Sequence, residues 1–359
     1  MHSISDKIIK VAALTVGKNV PSARFRVRQY INLLEKESIE VHEHRSLIEK
    51  SQIVPWLGGK IRTRYYFPIH LGLEATKVLC NLPRVCKSGF SDLIWLQRDL
   101  IAGMPTLEFF LKKPVVFDLD DAIWLSKPFG RLAIKKICQY SSFVFAGNKH
   151  IAEYVSDFNQ KVAIIPTGID TEKFRPDSDK ANHYDEFVIG WTGSKSNLIY
   201  LNQIEKQLTV FLNRFPNIYL HILCDENLIS ACLPKSKLRF TKWSTLNEAY
   251  IIKTWNVGIM PLPDHEFSLG KCSLKMLQYM ATEIPVVVSN IGMNKDILIK
   301  NEVGVGVDHA WQWIDALEYL YLNKEIGEKM GVEGRKVVLD EYASTRIATR
   351  IAEHFKMLT

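Results

Sequence analysis

Short apolar segments rich in β-branched residues alternate with helix-type patterns along most of this chain. A parallel strand reaches the next one only through a crossover of a dozen or more residues, usually a helix. The alternation therefore predicts an α/β fold with parallel sheets that are covered by helices on both faces. We predict strands over Ile8–Val16, Ile39–His44, Leu93–Gln97, Val115–Leu119, Phe143–Ala146, Val162–Pro166, Phe187–Trp191, Tyr219–Cys224, Leu238–Phe240, Val257–Pro261, Val286–Ser289 and Gly304–Val307.

The length of 359 residues suggests two domains, since a typical domain has roughly 150 residues. Residues 174–187 contain a proline and several acids but no apolar run, which indicates a linker. We predict a doubly wound N-terminal domain over residues 1–176, a second doubly wound domain over 177–340 and a C-terminal helix over 341–359. Helical patterns separate most of the predicted strands, at 23–36, 104–111, 134–140, 151–158, 198–215, 246–254 and 274–281. Three further patterns at 310–322, 325–342 and 344–357 end the chain, and the last helix is expected to pack on the N-terminal domain.

The net charge of +7 lies entirely in the first half of the chain. Residues 1–180 contain 27 basic and 19 acidic residues, whereas residues 181–359 contain 19 and 20. Within residues 45–90, eight basic residues accompany two acids and the aromatic residues Trp56, Tyr65, Tyr66 and Phe67. This asymmetry indicates an anionic partner such as a membrane surface, a nucleic acid or a phosphorylated substrate, or else a solvated basic face.

The six cysteines form no CxxC pair and no metal-ligand spacing, which favours reduced thiols in a cytoplasmic protein. No uncharged apolar run reaches the ~18 residues of a membrane span. The first ten residues contain an acid and lysines, which is not typical of a secretory signal.

Ligands of open parallel sheets bind beyond the carboxyl ends of the strands, so the strand-to-helix junctions are the candidate sites. At the first junction a strand ends at Gly17, before a helix that carries three arginines. The backbone N–H groups there can bind an anion by donating hydrogen bonds to it, but the GxGxxG pattern of nicotinamide enzymes is absent. At a second junction Asp118, Asp120 and Asp121 follow a strand. Their carboxylates suit metal binding, general-base chemistry or hydrogen bonds to sugar hydroxyls, although one of them could simply cap a helix.

Two junctions in the second half combine glycine with lysine. One strand runs into Gly193, Ser194 and Lys195, and a helix follows. The other junction, Gly270-Lys271-Cys272-Ser273, begins a helix that carries Lys275 one turn later. Cations are disfavoured at a helix N-terminus, so these lysines indicate a bound dianion such as a pyrophosphate. The alternatives are an ordinary turn and solvated lysines on an amphipathic helix.

These motifs together resemble a known family. The string PLPDHEFSLGKCSLKMLQYMATEIPVVVSNIG is similar to the signature of retaining, nucleotide-sugar-dependent glycosyltransferases of the GT-B fold, the large family-4 type group that includes many bacterial polysaccharide and lipopolysaccharide transferases. The strings SARFRVRQY, IWLQRDL, VVFDLDDAIW, FVFAGNKHIAEYV, AIIPTGIDTEKF and VIGWTGSKSN agree with it in order. The resemblance implies two Rossmann-like domains facing across a cleft.

The resemblance implies that the second domain binds the donor. Lys195 and Lys275 would neutralise the donor diphosphate, and Ser273 and Leu274 would offer backbone N–H groups to it. Further donor contacts would come from Gly17, Gly193, Ser194, Trp243 near the nucleobase, and Lys271. The transfer would retain the anomeric configuration, with no cofactor and no metal, and Asp118, Asp120 and Asp121 would face the acceptor or the sugar hydroxyls. A metal at these three aspartates remains an alternative.

The chain departs from the family pattern at two places. Relatives often carry two glutamates where this chain has Gly270 and Gln278, although a glutamine can still bind a ribose hydroxyl. Many relatives have a His-Asp pair where this chain has Asp120-Asp121. These departures leave open a non-catalytic nucleotide-sugar-binding subunit and a nucleotide-sugar epimerase on the same fold. A glycosidase would need two facing carboxylates, and no recognition motif supports nucleic-acid binding.

The expected partners are therefore a nucleotide sugar and a glycan or lipid-linked acceptor. We expect a cytoplasmic protein that works in cell-surface polysaccharide biosynthesis. Residues 45–90 would dock it on the anionic inner face of the membrane, where a lipid-linked acceptor would lie.

Overall fold

The computed structural model describes residues 7–18, 20–48, 67–126, 128–176, 186–227 and 232–359, without the side chains of 67–71 and 73. The chain forms two compact units, one of residues 1–168 with 344–359 and one of residues 169–343. Residues 169–176, which we had predicted in the first domain, belong to the second unit, where Ile169 pairs with Ala343. Most of the predicted linker and most of the basic stretch within 45–66 lie outside the described residues.

The first unit is built on a six-stranded parallel sheet in the order β2-β1-β3-β4-β5-β6. The register aligns Leu14 of β1 with Leu96 of β3, and Gln97 of β3 with Asp118 of β4. The strands are β1 (Ile9–Thr15), β2 (Ile39–Arg45), β3 (Leu93–Gln97), β4 (Val115–Leu119), β5 (Phe143–Ala146) and β6 (Val162–Ile164).

Helices cover both faces of this sheet. On one face, Ile347, Ile351 and Phe355 of the C-terminal helix join the core with Val27 and Leu34. From β2 to β6, each connection leads to a strand further toward the same edge of the sheet. Because such connections are right-handed, the helical segments within them lie together on the opposite face. The helices are α1 (Pro21–Arg26), α2 (Ile31–Glu35), α3 (Phe67–Ser88), α4 (Gly130–Tyr140), α5 (Lys149–Ser156) and the C-terminal α14 (Ser344–Leu358).

The second unit has its own six-stranded parallel sheet in the order β12-β11-β10-β7-β8-β9. Its strands are β7 (Phe187–Gly193), β8 (Ile218–Cys224), β9 (Leu238–Lys242), β10 (Val257–Met260), β11 (Val286–Ser289) and β12 (Gly304–Val307). Its helices are α6 (Leu198–Asn202), α7 (Glu205–Arg214), α8 (Glu248–Ile252), α9 (Glu266–Leu269), α10 (Leu274–Ala281), α11 (Gly292–Lys300), α12 (Gln312–Leu322) and α13 (Lys324–Val337). Strand order reverses beside β7, so its carboxyl end is the place where a ligand is expected.

All twelve predicted strands are present, and the helix predictions are less accurate. The segment predicted as a helix at 104–111 forms only a 3-10 turn, Leu107–Phe110. The Glu108 carboxylate accepts hydrogen bonds from the backbone N–H groups of Leu100 and Thr106, which closes this segment into a compact loop. The predicted helix 23–36 is interrupted after α1, where Val27 leaves the helical region at φ −126°. The helices α3 and α11 were not predicted. Among the described residues, no helix is long and apolar enough to cross a membrane.

Candidate functional site

The carboxyl end of β7 brings together three residues from two distant parts of the chain. Trp191 is fully buried and precedes Gly193, the last residue of the strand. A Cβ atom at Gly193 would lie 2.7 Å from the Trp191 ring and 2.9 Å from Nζ of Lys275 in α10. A larger residue here would therefore displace the buried Trp191 ring or the end of the Lys275 side chain. The predicted site residues Gly193 and Lys275 thus lie next to each other.

The ammonium group of Lys275 lies over an aromatic ring. Its Nζ is 4.5 Å from the centre of the Trp191 ring, and the side chain is half-buried. No carboxylate among the described residues forms an ion pair with it. Burial lowers the pKa of Lys275 to about 7, and the positive charge of Lys271 adds to this effect. The site thus holds a poorly solvated basic group with no anionic partner in the part of the chain that the structure describes.

The N-terminus of α10 begins at an unusual backbone conformation. Ser273 has φ 50° and ψ 24°, in the left-handed region that few non-glycine residues adopt. Its hydroxyl donates to Oδ1 of Asn294 at 2.7 Å, so it does not cap the helix. The first N–H groups of a helix have no acceptor within the helix, so those from Leu274 onward are suited to an anion.

Gly270 and Lys271 connect α9 to α10. Gly270 ends α9 and is buried, so this position provides no carboxylate. Nζ of Lys271 lies 4.3 Å from the centre of the Phe267 ring. Both lysines of this junction thus lie over aromatic rings.

Gln278 faces a carboxylate that the sequence analysis did not identify. Its Nε2 donates to Oε1 of Glu248 in α8 at 3.0 Å, and both side chains are buried. Glu248 lies one helical turn before the buried Ile252, on the apolar side of a predicted helix. Glu248 could have been identified from the sequence, because a charged residue is unusual among the apolar positions of a helix.

Lys195 differs from Lys275 because it has anionic neighbours. Its ammonium pairs with Glu226 at 2.7 Å, and its backbone N–H donates to Asp225 at 2.6 Å. The hydrogen bond to Glu226, with its negative charge, raises the pKa of Lys195. The neighbouring Ser194 hydroxyl contacts that of Ser196 at 2.9 Å. Trp243 follows β9 and donates its backbone N–H to Cys224 at the end of β8, 2.8 Å away.

In the first unit, arginine side chains fix the predicted loop at Gly17. Arg28 donates to the carbonyl oxygens of Gly17 and Lys18 and binds both oxygens of Glu43, at 2.9 and 3.0 Å. These bonds orient the backbone after β1. They also identify Glu43, which the sequence analysis did not name, as a residue that positions this loop through Arg28, one of the three arginines after the first strand.

The three aspartates do not share one environment. Asp118 is fully buried, and its carboxylate accepts hydrogen bonds from Arg26 at 2.6 and 3.0 Å and from the Trp95 indole at 3.0 Å. Arg26 also donates to the carbonyl oxygen of Ile165 at 2.7 Å. This buried ion pair ties α1 to the sheet, so Asp118 is a structural group in this conformation and not the cleft residue that we expected.

Asp120 and Asp121 are held by one arginine. Arg98 donates from Nε to Asp120 and from Nη2 to Asp121, both at 2.6 Å. Burial disfavours the charge of Arg98, but the two carboxylates outweigh this effect and raise its pKa. Arg98 has φ 62°, and such backbone strain at a strand end is typical of functional sites. Across the described residues, no cluster of His, Cys, Asp or Glu has an arrangement that could hold a metal ion.

No protein-family model matches the sequence, and no curated protein matches it significantly. Solved structures do match it in three dimensions. HepE from Anabaena, in complex with UDP and glucose, has a TM-score of 0.69 at 13% identity, over 98% of this chain and 100% of that chain. Sucrose-phosphate synthase from Thermosynechococcus elongatus has a TM-score of 0.68 at 14% identity, over 98% of this chain and 99% of that one. A glycosyltransferase from Rickettsia africae ESF-5 has a TM-score of 0.63 at 13% identity, again over 98% and 99%.

These similarities concern the fold. They confirm the predicted α/β class with two doubly wound Rossmann-like domains, as in the GT-B fold, and with helices at the C-terminus.

Proposed function

We propose that the protein transfers a sugar from a nucleotide-sugar donor to a hydroxyl group of a glycan or lipid-linked acceptor. The observation that carries this proposal is the ammonium of Lys275, which lies beside Gly193 without a carboxylate partner among the described residues. A diphosphate is the ligand that would supply the missing negative charge. The structural neighbour HepE binds UDP-glucose, which supports a nucleotide sugar as the ligand here.

The donor diphosphate would lie between the ammonium group of Lys275 and the first backbone N–H groups of α10. The first N–H groups of that helix, from Leu274 onward, would donate to one phosphate, and Lys275 would neutralise the other. Lys195 would have to exchange Glu226 for phosphate, so we assign it a secondary role. Within the second unit, Ser194 and Lys271 would complete the phosphate contacts.

The nucleoside would be bound by Trp243 and by Gln278 of α10. Trp243 follows the edge strand β9 and would contact the nucleobase. Gln278 is oriented by Glu248, and its Oε1 would accept a hydrogen bond from a ribose hydroxyl.

The reaction breaks the bond between the anomeric carbon and the diphosphate oxygen and forms a bond to the acceptor oxygen. Negative charge develops on the leaving diphosphate, where Lys275 stabilises the transition state. The departing phosphate takes the acceptor proton, and attack from the same face retains the anomeric configuration. Asp120 and Asp121 would bind hydroxyl groups of the acceptor or the sugar. We further propose a role in cell-surface polysaccharide biosynthesis on the cytoplasmic side of the membrane.

The test begins with a thermal-shift screen of nucleotides and nucleotide sugars. A ligand at a hundred times its dissociation constant stabilises the folded state by ~2.7 kcal/mol. The best donor is then incubated with hydroxyl acceptors, and NMR follows the release of nucleoside diphosphate and the anomeric configuration of the product. Transfer with retention supports the proposal. Binding without turnover would favour a non-catalytic subunit, conversion of the donor without acceptor would favour an epimerase, and no shift with any nucleotide would contradict the donor site.

A further inference from the structure

A basic and aromatic surface lies on the first unit. The segment 107–113 and the outward side of α4 contribute to it. We define the Phe110 surface as Phe109, Phe110, Lys112, Lys113, Lys135 and Lys136. Phe110 is 77% exposed and Phe109 39%, and the four lysines are exposed.

Ring contacts hold the two parts of this surface together. The Phe109 ring packs edge-on against Tyr140 of α4, with 5.6 Å between the ring centres. Nζ of Lys113 lies 4.7 Å from the centre of the Tyr140 ring, and the Tyr140 hydroxyl donates to the carbonyl oxygen of Leu111 at 2.7 Å. The phenylalanines and the lysines of 107–113 therefore lie next to the Tyr140 end of α4. Lys135 of the same helix extends toward Phe158, with its Nζ 5.9 Å from the centre of that ring.

The charges of this surface are of one sign. The buried side of α4 consists of Ala133, Ile134, Ile137 and Cys138, so Lys135 and Lys136 face outward. Glu108, the only acid in residues 107–113 and 130–140, is buried and binds backbone N–H groups. It therefore does not neutralise the lysines at the surface.

We propose that the Phe110 surface docks the protein on an anionic lipid bilayer. Exposed phenylalanine rings are favourable at the boundary of headgroups and acyl chains, and lysines beside them are attracted to anionic headgroups. A second copy of the same surface would bring like charges together, so self-association through it is disfavoured. The proposal shares no residue with the donor site. It places membrane contact on residues other than the predicted stretch 45–90, of which residues 49–66 lie outside the described part of the chain.

Vesicle flotation of the full chain tests this proposal. We expect the protein to float with vesicles of phosphatidylcholine and phosphatidylglycerol. With vesicles of pure phosphatidylcholine it should remain in the bottom fraction of the gradient. The partition coefficient of the double variant Lys112→Glu/Lys113→Glu should be lower by a factor of at least about 30, since each basic residue near an anionic surface contributes on the order of a fivefold preference. Phe110→Ser should reduce partitioning by up to about tenfold in the same assay.

A matched variant in the second unit is Ile299→Ser/Lys300→Glu, since both residues are exposed neighbours on α11. It should float as the unchanged protein does, and thermal melting should show that all variants remain folded. Equal flotation of the Lys112/Lys113 variant and the unchanged protein would overturn the proposal. Absence of flotation of the unchanged protein would overturn it as well. If that protein instead binds a single-stranded RNA probe and the same variant abolishes this binding, the partner is a nucleic acid. Neither outcome depends on whether a nucleotide sugar binds.

Discussion

Nζ of Lys275 lies 4.5 Å from the centre of the Trp191 ring, although the two residues come from separate strand-to-helix segments of the second unit. An aromatic face attracts a cation, and the attraction is stronger where water is excluded. The ring therefore holds the ammonium beside Gly193 without neutralising it. An anion that enters this position meets a charge that is already oriented.

Replacement of Lys275 by alanine should weaken donor binding without unfolding the protein. A hydrogen bond to a charged group contributes about 1.5–3 kcal/mol, so the dissociation constant should rise by roughly 10- to 150-fold. Isothermal titration with the donor found in the screen measures this change. Lys300→Ala, at the exposed end of α11, is the matched control and should bind normally. An unchanged dissociation constant for Lys275→Ala would contradict the assigned phosphate contact.

Donor affinity should decrease as the pH rises above neutrality. The pKa of Lys275 is about 7 in the free protein, and a bound diphosphate favours the charged form and raises this pKa. Binding above pH 7 therefore takes up a proton, and the affinity should fall by up to tenfold per pH unit. Titrations between pH 6 and 8.5, in buffers of different ionisation enthalpy, measure both the affinity and the proton uptake.

Lys275→Arg provides the control for this pH dependence, since a guanidinium remains charged throughout that range. Its affinity should vary much less with pH. If both proteins show the same pH profile, the titrating group is not Lys275.

The same lowered pKa determines the sign of a stability effect. The unfolded chain keeps Lys275 protonated up to its ordinary pKa of 10.5, whereas the folded protein releases the proton above about 7. The unfolded state therefore binds more protons between these values. The contribution of this group to the free energy of unfolding should rise with pH across this window.

Asp118 and Asp120 should differ sharply when each is replaced by asparagine. Asp118→Asn leaves the buried Arg26 without its counter-charge, which costs about 3–5 kcal/mol. Asp120→Asn leaves Arg98 paired with Asp121 in a partly exposed site, so a loss of about 1 kcal/mol is expected. Thermal unfolding should show a decrease in Tm of roughly 10 °C for the first and a few degrees for the second. Equal decreases would mean that Asp118 does not hold the sheet and α1 together.

This contrast shows where sequence reasoning succeeds and where it fails. Local composition was sufficient for the strands of this chain, since short β-branched runs that are bounded by turn residues favour strands. The position after a strand grouped Asp118 with Asp120 and Asp121 as one candidate site. It could not show that Arg26, 92 residues away in the chain, binds the first of them in the core. The partner of a polar residue depends on tertiary packing, which no local pattern contains.

The proposed donor site shows the same limit. The combination of glycine and lysine made the Gly193 junction and the N-terminus of α10 two separate candidate sites, and the family resemblance assigned both to the donor diphosphate. It did not predict that Lys275 lies over Trp191 or that Lys195 pairs with Glu226. These differences decide which lysine has an unneutralised charge, and they depend on side-chain directions at the ends of separate strands.

Gln278→Glu should destabilise the protein in a pH-dependent way. The new carboxylate would lie about as close to Glu248 as the present 3.0 Å hydrogen bond, and both groups are buried. Two such carboxylates share one proton, which raises the pKa of the pair above the unfolded value. The folded state then binds more protons, so the loss of stability should be small near pH 4 and should grow as the pH rises toward 8.

Thermal unfolding at several pH values measures this dependence, and Glu248→Gln in the same background is the control. The double variant exchanges the two groups and restores an amide–carboxylate pair, so its stability should return toward that of the unchanged protein. Because Gln278 is assigned to the ribose, donor binding should recover with it. A double variant as unstable as Gln278→Glu alone would show that the two side chains do not act as a pair.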